Sequence, residues 1–162
     1  MSVKEHQIRY KKICKKLILR SFPTLINKNI EIYEHKDIKF SADTRKNFLN
    51  QRRIRTHPRL RKYNMRKLIG LFAHELSHLE YFDTLSWFNY NFVRGFKIHS
   101  KKYLIKEERE ADIYAITKGY TRELYLQRKS RWDSKDKQGK NNQWMYLSPD
   151  KIKKISIKLG KW

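Results

Sequence analysis

Apolar residues along this chain recur at two different spacings. Between 64 and 82 they fall at Met65, Leu68, Ile69, Phe72, Leu76 and Leu79, three or four apart, with Asn64 placed to cap the first turn. Such spacing lines one side of an α-helix. At about 100° per residue, His74 and His78 project from the side opposite that stripe. The small residues Gly70, Ala73 and Ser77 allow neighbours to come close. The pattern predicts one helix that is core on one side and open to chemistry on the other.

The same spacing predicts a basic helix over 4–20, with Ile8, Ile13, Cys14, Leu17 and Ile18 on one side. It predicts further helices from Lys101 to Lys118, stopped by Gly119, and from a capping Thr121 onward. Ser148, Pro149 and Asp150 have the chemistry of a helix start, so a final basic helix is expected there. Short β-prone runs at 30–34 (IEIYE), 38–42 (IKFSA) and 51–57 (QRRIRTH) predict a small ribbon or sheet. The expected class is α+β, mainly helical, with the small sheet ahead of the helix at 64–82. Residues 84–98, TLSWFNYNFVRGFKI, read as an aromatic connector too short for a bilayer span and interrupted by Arg94 and Gly95. A loop covering the core is the plainer reading of it, and a lid or membrane-dipping role is the alternative. Residues 133–143 are polar and read as a loop.

Length and composition fit one domain with a substantial core. We divide it into a basic N-terminal helix (1–29), a central core (30–130) and a basic tail (131–162). The lone Cys14 makes no internal disulfide. With no secretory signal visible at the N-terminus, a reduced cytoplasmic protein is expected. The net charge of +23 suits nonspecific attraction to nucleic acid or another anionic surface. Its distribution is more informative: of 39 Lys and Arg, none lies between 68 and 93. That base-free window contains His74-Glu75-Leu76-Ser77-His78.

The spacing H-E-x-x-H puts two imidazoles on one face of a helix, where both reach one metal ion, with a carboxylate beside it to accept a proton from bound water. The extended pattern H-E-x-x-H-x-x-G-x-x-H is excluded, because Tyr81 and Thr84 stand where it needs Gly and His. A third ligand must come from His99 or from the acidic run KEEREAD at 106–112.

HELSH, a connector, and then EREAD on a following helix resemble the gluzincin metallopeptidases, most of all the small archaeal soluble minigluzincins. The resemblance covers roughly residues 64–130. It implies a zinc peptidase acting on a protein or peptide substrate, with His74, His78 and Glu108 as ligands and Glu75 as general base toward a zinc-bound water. Asp112 would orient a ligand histidine. A donor to the oxyanion is usual in that family, and Tyr114, Tyr120, Tyr125 and His99 are candidates. Among the three glutamates of the run, only Glu108 has a carboxylate four residues onward. Substrate is expected to add as a strand to an exposed sheet edge, with RRIRTH as its supplier. The apolar WMYL after the polar loop raises latency imposed by the tail. The competing reading is a basic nucleic-acid-associated protein with a structural or vestigial zinc, or a DNA-associated protease completed by His99. The intact Glu75 weighs against a purely structural zinc.

Overall fold

The computed structural model describes residues 2–47, 49, 51–133 and 143–162. It is α+β and mainly helical, with a small three-stranded sheet. Helix α1 spans Val3–Ser21 and starts at a capping box in which Ser2 and Glu5 satisfy each other's amides. Its buried side is Tyr10, Ile13, Cys14 and Leu17, whereas Ile8, expected on that side, is exposed. Tyr10 packs against Phe72, 5.5 Å between centroids, and so seats α1 on the central helix.

Strands β1 (Ile30–Glu34), β2 (Ala42–Lys46) and β3 (Arg52–Thr56) follow. The second strand thus begins where the expected 38–42 run ends: Lys39 and Phe40 form bends, and the polar Ala42–Lys46 takes the strand. The order is β1-β3-β2, parallel between β1 and β3 and antiparallel between β3 and β2. The RRIRTH segment is therefore central, and β2 is an edge. Ile32, Ile54 and Thr44 lie in register and share one face of the pleat. Ile32 and Ile54 are buried in the core, and β2 rests on the central helix.

That helix, α2, spans Met65–Thr84 and is capped by Asn64, whose side chain accepts from the amide of Lys67. Nearly every residue from Leu68 to Glu80 is buried, and not only the apolar stripe. The side with the two histidines is enclosed too, by α4 (Lys101–Thr117), α5 (Thr121–Trp132) and the tail. Broadest is the contact of α2 with α5. It depends on Gly70, where an added Cβ would lie 2.4 Å from the backbone carbonyl of Glu123.

The connector winds through a π-helical stretch at Asn89–Arg94 and a short α3 at Gly95–Lys97 before α4 begins. At the end of α4, Gly119 takes φ +91°, a left-handed turn that lets α5 start at once. Thr121 is the first residue of α5 and is buried, so the capping position falls to Tyr120. Helix α6 spans Pro149–Lys158 behind its Ser148 cap and packs on α5 and α4. The loop expected at 133–143 falls, from 134 to 142, outside the described residues. Among the described residues, no helix is long and apolar enough to cross a membrane.

Candidate metal centre

One turn of α2 separates His74 from His78, and α4 crosses over both. Ala111 and Ala115 allow that crossing, since a short side chain lets two helices approach, and both are buried. Glu108, one turn before Asp112, thereby reaches the two rings. Its Oε2 lies 3.1 Å from His74 Nε2 and 3.5 Å from His78 Nε2, and the two Nε2 atoms are 3.2 Å apart. Ligand atoms held tetrahedrally at about 2.0–2.1 Å from zinc stand about 3.3 Å from one another. Among the described residues, these three form the group able to hold a metal ion.

The protonation pattern fits a cation as well. His74 Nδ1 lies 2.8 Å from Asp112 Oδ1, an acceptor, so that nitrogen carries the proton and Nε2 presents a lone pair. A lone pair aimed at a carboxylate oxygen needs a positive centre between them. Without a metal the ring itself must supply it. Burial disfavours the imidazolium, but Asp112 more than offsets this and, with Glu108, raises the His74 pKa to about 9. Burial likewise works against the Glu108 carboxylate, yet the two histidines hold its pKa well below the usual value.

Asp112 is fully buried and meets three partners. Oδ1 accepts from His74 and from Arg128, at 2.5 Å, while Oδ2 accepts from the amide of Leu147 at 2.9 Å. Arg128 is itself 1% exposed and lies 3.2 Å from His74 Nδ1. It reaches the site because α5 runs alongside α2: Glu123 and Leu124 touch Gly70, and one turn later Arg128 meets His74. Charge on Asp112 is thus balanced from one side by a guanidinium and shared with the ring it orients.

Glu75 points the other way, toward the sheet. Its Oε2 accepts from Thr44 Oγ1 at 2.6 Å, and its backbone carbonyl receives the same hydroxyl at 3.3 Å. Register explains this contact, since Thr44 occupies the inward face beside Ile54. Burial raises the Glu75 pKa, against the opposing pull of His74 and His78, which favours a carboxyl that can take up a proton.

Glu75, His74, His78 and Glu108 line a cavity of about 470 Å³ bounded by β2, the connector and the tail. Tyr146 forms one wall, its ring 5.7 Å from that of His74 and covered by the guanidiniums of Arg128 and Arg131. None of the four expected oxyanion donors lines this cavity. Tyr120 bonds Ser21, Tyr114 lines a separate recess between α2 and α4, Tyr125 packs on Trp162, and His99 is exposed. Thr44, Arg128, Tyr146 and the Leu147 amide were not foreseen. Tyr146 and Leu147 carried a signal, as part of the apolar WMYL run after a polar loop.

Glu107 is buried against Arg94, with bonds of 2.9 and 2.6 Å, at the rim of the same cavity. No family model, characterised protein or solved structure matches this chain.

Proposed function

We propose that this chain is a zinc-dependent peptidase of gluzincin type, acting on protein or peptide substrates in the cytoplasm. The observation that carries the reading is the convergence of His74, His78 and Glu108 at zinc-ligand spacing, with a buried glutamate next to the first histidine. A zinc ion held there would supply a Lewis acid and a water of lowered pKa. His74 and His78 would hold the ion through Nε2 and Glu108 through a carboxylate oxygen, while Asp112 fixes the His74 tautomer from behind. Glu75, held by Thr44, takes the proton from the attacking water and passes it to the leaving amine. Tyr146, which lines the cavity, would donate toward the oxyanion, in place of Tyr114, Tyr120, Tyr125 or His99. The strand that receives substrate is β2, an edge that also walls the cavity. The lone buried Cys14 suits a reducing compartment. Binding of nucleic acid, where it occurs, rests on the charge of +23 and is nonspecific and salt-sensitive.

Two measurements test this together. Purified protein should hold one zinc per chain by elemental analysis and lose it to a chelator. Against a library of unstructured peptides, Glu75→Gln should keep the zinc and lose about 10²–10⁴-fold in hydrolysis, because an amide accepts no proton. A metal-free wild type whose melting point ignores added zinc would end the proposal. So would a Glu75→Gln variant as active as an active wild type.

A further inference from the structure

The connector after α2 is folded inside out. Tyr90 is buried and its hydroxyl accepts from the amide of Lys46 at 2.8 Å. One turn on, Arg94 turns inward as well, pairs with Glu107, and lays its guanidinium over the rings of Phe82 and Tyr90 at 4.2 and 5.3 Å. The opposite side carries Phe88, Phe92 and Phe96, spaced four apart and exposed by 60, 45 and 77%. Trp87 stands beside them, 5.7 Å from Phe92. A segment answering only to water would bury the phenylalanines and release the arginine. This one keeps the charge inside and presents a row of rings outward, an arrangement that is stable against a second apolar phase.

The neighbourhood says which phase. Exposed Lys97, Lys101 and Lys102 follow the row directly. Lys101 reaches Trp144 of the tail, whose own ring is 40% exposed, at 4.5 Å. Aromatic rings bordered by lysines suit the headgroup zone of an anionic bilayer, where rings enter the acyl boundary and ammonium groups stay with phosphate. A second copy of the chain is disfavoured by its charge of +23. Unpaired bases would stack on open ring faces, whereas Phe88 and Phe92 already stack on each other at 5.2 Å.

We propose that Phe88, Phe92 and Phe96, with Lys97, Lys101 and Lys102, dock the protein reversibly on an anionic lipid surface. Tyr90, Arg94 and Ile98 of the same connector line the candidate metal cavity, so docking holds the mouth of that cavity at the bilayer. The docking surface stands whether or not the centre hydrolyses peptides.

The test is co-sedimentation with vesicles of phosphatidylcholine alone or with about 30 mol% phosphatidylserine, at low and high salt. Wild type should partition onto the anionic vesicles and leave them as salt rises. Phe88→Ser/Phe92→Ser/Phe96→Ser should weaken partition by at least ~10-fold with an unchanged circular dichroism spectrum. Lys97→Gln/Lys101→Gln/Lys102→Gln should do the same. If the triple serine variant does not fold, Phe96→Ser alone should still lower partition measurably. Absence of partition at low salt overturns the proposal, as does a folded serine variant that partitions like wild type. Equally fatal is a dimer, or a complex with single-stranded DNA, that the serine substitutions abolish in a protein that ignores vesicles.

Discussion

Helix α2 and the connector behind it are neighbours in sequence, and both bury charged side chains, but for opposite reasons. On α2 the buried polar atoms converge: His74, His78 and Glu108 point at one another, with Asp112 and Arg128 holding the first ring. In the connector the buried charge is closed off, since Arg94 and Glu107 meet in a two-bond pair under aromatic rings. A converging set brings three groups able to hold a metal ion to one point. The closed pair works as a fastener, freeing the rest of its segment to face outward.

This contrast can be broken by substitution. The largest effect belongs to the converging set: Glu108→Ala should weaken zinc more than about 100-fold in competition with a chromogenic chelator, since each ligand carries several kcal/mol of the binding energy. Glu107→Ala, one position away, should leave zinc within a few fold. Next is the fastener. Arg94→Ala should lower unfolding free energy by about 3 kcal/mol in a urea titration, because it strands Glu107 in the interior. Glu107→Ala should fall with it, and a stable Arg94→Ala variant would show that the pair is ornamental. Asp112→Ala should weaken zinc by about 10–100-fold, less than loss of a ligand, through a freed imidazole. Smallest is Phe92→Ser on the outward row, expected to change stability by less than about 0.5 kcal/mol. A loss of several kcal/mol there would mean that the row belongs to the core.

Periodic features were legible in the sequence. The span of α2, the start of α4 at Lys101 and the Ser148 cap follow from spacing and capping chemistry, which act within one or two turns. Placing Glu108 with the two histidines came from the family resemblance, helped by the carboxylate four residues onward at Asp112. What stayed hidden depends on partners far along the chain. Nothing near Thr44 announces that its strand is an edge resting on α2, and apolar IKFSA outbid polar ADTRK for the strand. Arg128 looked like one more surface base in a chain of 39 such residues. The tyrosines and His99 were judged by chemistry alone, and chemistry does not report distance. The base-free window from 68 to 93 coincides with burial along most of α2, and it ends one residue before Arg94, which pairs with the buried Glu107.

The contact at Gly70 has a consequence well away from its own position. Because no side chain stands there, α5 rides directly on the backbone of α2, and that spacing determines how far the guanidinium at 128 projects toward Asp112. Residue 70 therefore acts as a shim. Thickening it by one methyl, as in Gly70→Ala, must shift one helix relative to the other, and the far end of that lever is the carboxylate that orients His74. The grip of the proposed centre on a cation would be adjustable through residue 70, which supplies no ligand atom of its own.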